Sequence, residues 1–162
     1  MLPARGLPAG LRPVNIAEMN TTRQVAALPV RRNSDGSLSV LLVTSRETRR
    51  WVIPKGWPWP DREDHIAAAE EAREEAGVLG LAVPESIGSF TYRKRRAEGL
   101  VVVRVQVYVL EVTEELPSWP EAGQRDRLWL GLADAAAKVD EPELQALLLQ
   151  AEERILGEGR WS

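Results

Sequence analysis

Apolar positions along the chain fall into two kinds of run. The first kind is short and rich in β-branched residues. Residues 24–30 (QVAALPV), 37–43 (SLSVLLV), 51–53 (WVI), 85–92 (ESIGSFTY), 100–112 (LVVVRVQVYVLEV) and 127–130 (RLWL) belong to it and predict strands. Pro29 removes a backbone donor, so the first of these is expected at an edge or a bulge. The second kind spaces apolar residues three and four apart. Ile66, Ala69, Ala72 and Ala76 follow that spacing, as do Leu144, Leu147, Leu148, Ala151 and Ile155, and both sets predict helices. A shorter helix is expected over residues 132–138, with Asp134 near its start.

Turn and cap signals divide these runs. Asn33-Ser-Asp-Gly36 makes residues 24–43 a plausible hairpin, and Trp57-Pro-Trp-Pro60 cannot be regular helix. The first helix is expected to start between about Asp61 and His65, with Asp61 and Asp64 both suited to cap it, and to stop at Gly77. Pro142 suits the first position of the last helix. The basic run Arg93-Lys-Arg-Arg96, followed by Glu98-Gly99, predicts a turn. Tyr92 is assigned to the sheet core, and Trp119 and Trp129 to the packing between the terminal helices and the sheet. Strands, helix, strands, helices in that order predict an α+β or α/β layered domain with a mixed sheet between helices. We place a flexible arm at residues 1–21, one domain at 22–157 and a tail at 158–162.

Composition narrows the function classes. The 162 residues are 44% hydrophobic and 28% charged, the pattern of a soluble globular chain. A formal net charge of −3 gives no global attraction to nucleic acid or membrane, so neither is expected as a partner. With no cysteine there is no disulfide, zinc–thiolate site or cysteine nucleophile. The N-terminal residues lack the apolar stretch of a signal peptide, and no run is long enough to span a membrane. A cytoplasmic protein is expected, with a homodimer left open.

Chemistry concentrates in residues 53–80. Glu70, Glu71, Glu74 and Glu75 fall within six residues, and helical spacing puts Glu71, Glu74 and Glu75 on one face. Like charges so placed repel, which calls for a cation, and carboxylate oxygens suit Mg²⁺, Mn²⁺ or Ca²⁺. Acidic helix faces are ordinarily just solvated. Here, though, Lys55 and Gly56 stand just before the helix and suit an anion. A cation site beside an anion-friendly loop points to chemistry on phosphates. Arg46, Arg49 and Arg50 before it, and Arg93, Lys94 and Arg95 after it, offer further positive charge, although each run alone reads as a solvated turn. Trp57 and Trp59 either stack on a ligand or pin their loop.

This stretch resembles the signature of the Nudix hydrolase family: Gly, five residues, Glu, seven residues, then Arg-Glu-apolar-x-Glu-Glu-x-Gly-apolar. Gly56 is its first glycine, and Glu71-Ala-Arg-Glu-Glu-Ala-Gly-Val78 its end, with no gap between. Two positions depart from it: Arg62 stands for the motif's first Glu, and Glu70 for its Arg. Arg62 lies eight residues before Glu70 and is not an obvious swap partner. The wording SRETRRWVIPKGWP before the motif and FTYRKRR after it looks like the bacterial relatives of diphosphoinositol polyphosphate and diadenosine polyphosphate hydrolases.

The resemblance implies a loop–helix–loop in a mixed sheet and a metal-dependent pyrophosphohydrolase using Mg²⁺ or Mn²⁺. It implies Glu71, Glu74, Glu75 and the Gly56 carbonyl as metal ligands. Glu74 or Glu75 would take the proton of the attacking water, and Lys55, Arg46, Arg50, Arg93 and Lys94 would bind a phosphorylated small molecule. Candidate substrates are a nucleoside diphosphate derivative, a dinucleoside polyphosphate and a diphosphoinositol polyphosphate. Two other readings stand beside this one. The first is a Nudix-fold module that senses such a ligand with little turnover. The second is a hydrolase of RNA 5′ ends, which rests on the basic turns alone.

Overall fold

The computed structural model describes residues 21–157. Residues 1–20 of the expected arm and the whole of the expected tail, 158–162, lie outside the described residues. Thr21, assigned to the arm, opens the first strand. The strands are β1 (Thr21–Arg32), β2 (Leu38–Thr44), β3 (Trp51–Val52), β4 (Lys55–Gly56), β5 (Val78–Ala82), β6 (Gly88–Arg96), β7 (Gly99–Glu115) and β8 (Arg127–Gly131). The helices are α1 (Asp64–Ala76), α2 (Leu132–Lys138) and α3 (Pro142–Gly157). None among the described residues is long and apolar enough to cross a membrane.

The sheet is mixed, as expected for an α+β layered domain. β1 runs parallel to β7, from Thr21 beside Val102 to Val30 beside Glu111. β7 is 17 residues long, so its other edge receives β6 and then β5, both antiparallel. On its far side β1 pairs first with β4, through Val25 and Ala26, and then with β2, through Val30 to Arg32. Alternating side chains feed two apolar layers. Ala26, Leu28 and Val30 join Leu144, Leu147 and Leu148 of α3 on one face. Val25 and Ala27 join Ala67, Ala72 and Ala76 of α1 on the other. Fully buried residues such as Leu28, Leu144 and Leu148 each contribute about 1.5–3 kcal/mol by leaving water.

Several local expectations change. Pro29 is buried in a central strand, not at an edge. It falls where the partner of β1 changes from β4 to β2, between the registers of Ala26 and Val30. The missing N–H therefore interrupts neither ladder. β5 was absent from the sequence reading; it pairs with β7 through an irregular register between Leu79 and Gly80. The basic residues 93–96 continue β6 and pair with residues 99–102, so the turn is confined to 97–98. Trp129 packs on the α1 side, not beneath α2 and α3. Trp119 closes the end of α1, donating from Nε1 to the Glu75 carbonyl at 3.1 Å.

Candidate active site

α1 positions the acids. Its buried face consists mainly of alanine, with Ala67, Ala68, Ala72 and Ala76 at most 1% exposed, so the helix axis lies close to the sheet. Glu63, and neither Asp61 nor Asp64, is its N-cap, without a side-chain cap bond. Asp64 lies in the first turn and instead pairs with Arg23 at 2.6 Å. At the other end Gly77 adopts φ 67°, a left-handed conformation that glycine takes without penalty, and its N–H closes onto the Arg73 carbonyl.

The close packing brings Glu71 over β4. A Cβ on residue 56 would lie 2.6 Å from Oε1 of Glu71, and nearer still to the rest of its carboxylate, so Glu71 holds this position only because residue 56 is glycine. Gly56 itself is fixed by pairing with Val25. One turn along, Glu75 is buried at 7% exposure, and its Oε1 accepts a weak 3.4 Å bond from the Lys55 N–H.

Burial raises the Glu71 carboxyl to about 8, assisted by the charges of Glu75 and Glu74. Burial also raises Glu75, against the opposing pull of Arg125 and Lys55. The interaction between the two side chains raises Glu71 further and offsets part of the rise at Glu75. Arg125 lies on the other side of Glu75, with Nη2 3.6 Å from Oε2, and it donates to Glu121 at 2.6 Å.

Glu71 and Glu75 open onto a cavity of about 640 Å³. Seven basic side chains and four acidic ones line it. Lys55 sits on its floor, 4.9 Å over the Tyr92 ring, and burial holds its ammonium below the usual lysine range. Arg93, Lys94 and Arg95 line it from β6, which among the described residues pairs with β7 alone. Arg46 and Arg50 come from the loop after β2. Arg46 reaches Gln124 at 3.3 Å. Arg50 is held by Asp140 and Glu141, both at 3.2 Å. Trp57 is 45% exposed at the rim, with Arg96 5.5 Å over its ring.

Two acids of α1 stand apart. Glu74 does not line this cavity. Glu70 forms an ion pair with Arg73, so the extra negative charge is neutralised three residues along the same helix. Arg62 stacks over Trp59 at 5.3 Å. As expected, Arg62 is not the partner of Glu70, although both line a separate cavity of about 210 Å³, along with Arg73. Among the described residues no group of three or more His, Cys, Asp or Glu side chains is arranged to hold a metal ion. The Glu71–Glu75 pair nevertheless suits one. Burial and, after it, the charges of Glu75 and Glu74 raise the Glu71 carboxyl, and a divalent cation would offset both.

Sequence reasoning missed Gln24, Tyr92, Glu121 and Arg125, which all line the cavity. Tyr92 packs on the core as expected, but its hydroxyl also donates to Gln24 at 2.8 Å. Period two along β6 could have placed Tyr92 beside Lys94. Glu121 and Arg125 come from the loop before β8, and no local pattern marks them.

The α+β domain thus sets a glycine-backed acidic helix beside a basic cavity. The chain belongs to the Nudix family: the NUDIX domain model matches residues 21–150. Nudix hydrolase 12, mitochondrial, of Arabidopsis thaliana is 39% identical over 103 residues, covering 60% of this chain and 50% of that protein. Diphosphoinositol polyphosphate phosphohydrolase 3-beta of Bos taurus is 39% identical over 99 residues, covering 59% of this chain and 57% of that one. The chain thus spans about half the length of these relatives. In fold, it is similar to the crystal structure of a C. elegans Ap4A hydrolase binary complex, with a TM-score of 0.62 at 21% identity, over 83% of this chain and 98% of that one.

Proposed function

We propose that the chain is a divalent-metal-dependent hydrolase of phosphoanhydride bonds, acting on a small molecule that carries several phosphates. The observation that carries this reading is the Glu71–Glu75 pair, buried against Gly56, opening onto a cavity with seven basic side chains. Mg²⁺ or Mn²⁺, when bound, neutralises phosphate charge and acidifies water. Glu71, Glu75 and the Gly56 carbonyl would hold it, with Glu74 the further ligand that the motif assigns. Lys55, Arg93 and Lys94 bind phosphate oxygens, aided by Arg46. A carboxylate, Glu74 or Glu75, accepts the proton of the attacking water. The water oxygen bonds to phosphorus, and the bridging P–O bond breaks on the leaving side. Glu121 is a further acid facing the same space.

A dinucleoside polyphosphate or a diphosphoinositol polyphosphate suits this charge better than a simple nucleoside diphosphate derivative. Support comes from the excess of basic over acidic lining residues and from the relative named a diphosphoinositol polyphosphate phosphohydrolase. A cytoplasmic place of action is proposed from the absence of cysteine.

A second reading, a ligand-sensing module with little turnover, is favoured by one observation: Glu74 lies away from the cavity that Glu71 and Glu75 line. One experiment separates the two. Each candidate substrate is incubated with the protein and Mg²⁺, Mn²⁺ or EDTA, and products and binding are measured together. Metal-dependent cleavage of a diphosphate supports the hydrolase. Tight binding without products supports the sensor.

A further inference from the structure

Arg125 is built into the acid cluster in an unusual way. It is 9% exposed, and each of its three nitrogens has a separate partner. Nε donates to Glu121 at 2.6 Å, Nη1 to the Thr44 carbonyl at 3.0 Å, and Nη2 lies 3.6 Å from Glu75 Oε2. Two of these anchors, Thr44 and Glu121, do not depend on Glu75. The guanidinium therefore stays beside Glu75 whether or not Glu75 has another cation. Glu75 also faces Lys55 on its near side and Glu71 along its own helix.

We propose that Arg125 is a positioning residue: a fixed counter-cation, anchored independently of Glu75, that orients the Glu75 carboxylate and lowers the affinity of the Glu71–Glu75 pair for a divalent ion. This rests on the reading of that pair as a metal site. The physical basis is Coulombic. A charge 3.6 Å from one carboxylate oxygen, in a place shielded from water, repels an approaching dication strongly. Nothing in the motif encodes this, because Arg125 lies 48 residues beyond Gly77 in sequence.

The test is Mn²⁺ binding, read from the free-ion electron paramagnetic resonance signal, in the wild type, R125K and R125M. The charge-free R125M is expected to bind Mn²⁺ at least about threefold more tightly than wild type, and R125K to stay close to wild type. Unchanged or weaker binding by folded R125M overturns the proposal. A measurement on the wild type covers the case in which R125M does not fold. Saturating Mg²⁺ is expected to shift the Arg125 guanidinium nitrogen resonances, assigned by their loss in R125K. Mg²⁺ that binds without moving them overturns the proposal while leaving the metal site standing. Failure of the wild type to bind either ion overturns the metal reading and this inference with it.

Discussion

The carboxylate of Glu71 occupies the space that a side chain on residue 56 would need, with Oε1 2.6 Å from the position of a Cβ. The glycine that ends β4 and the first acid of the cluster are thus one fitted unit. Gly56→Ala should push the Glu71 carboxylate out of place. Turnover is expected to fall by more than about a hundredfold, a scale set by the sensitivity of catalytic geometry to small displacements. Thermal unfolding should show the folded state retained. Activity near wild type would mean that Glu71 works in another position.

The Glu71 carboxyl, raised to about 8, sets a pH dependence in the metal-free protein. Glu75, Glu74 and Glu121 face it, and Arg125 and Lys55 counter them through Glu75. The folded state holds the extra proton between the ordinary glutamate value of 4.5 and about 8. Stability is therefore full below the lower value and is lost as pH rises through the upper one. Metal binding must expel that proton, so Mn²⁺ affinity should climb from pH 6 to about 8 and then level. Titrations at four pH values check this, and a flat profile contradicts it.

Gly77 carries both a left-handed φ of 67° and a close neighbour: a Cβ there would lie 2.5 Å from Cδ2 of Trp119. Gly77→Ala should destabilise the protein by at least about 1–2 kcal/mol from backbone strain alone. Urea unfolding measures it. Because Trp119 Nε1 holds the Glu75 carbonyl, turnover should fall as well.

The basic residues around the cavity divide by what already holds them. Arg93 and Lys94 have exposed side chains. Their alanine variants should raise KM by about three- to tenfold, with kcat nearly unchanged and the effect shrinking in high salt. Arg50 is held between Asp140 and Glu141, and Glu141 is buried, with Oε1 lacking a hydrogen-bond partner among the described residues. Arg50→Ala should therefore cost stability, about 1–2 kcal/mol, because a buried carboxylate loses its counter-charge. Comparing KM and unfolding midpoints across the three variants separates these roles.

The parts of this site that lie within one stretch of chain were legible in the sequence. Residues 55–77 declare a strand end, a loop, an acidic helix and a stopping glycine by local rules of spacing and capping. The valine-rich β7 and the leucine-spaced α3 were equally plain, because deep burial leaves a strong period. What was not legible depends on pairing across the chain. Residues 78–82 become β5 because β7 is long enough to accept another partner, and Pro29 is tolerated because the partners of β1 change beside it. Arg125 reaches Glu75, and binds Glu121, from a loop with no periodicity. At positions 62 and 70 the sequence departs from the motif, with Arg73 a possible counter-charge. The structure pairs Glu70 with Arg73 and gives Arg62 a ring to stack on, around one small cavity.

The central claim is that the Glu71–Glu75 pair supports hydrolysis of a phosphoanhydride. The most direct measurement is the Mg²⁺-dependent kcat of the wild type and of Glu75→Gln on whichever diphosphate the panel shows to be cleaved. The substitution preserves shape and removes the charge. The expected result is turnover by the wild type and a loss of at least about a hundredfold in the variant, with the fold intact by thermal unfolding. Equal turnover by both proteins, or none from the wild type on any diphosphate, would contradict it.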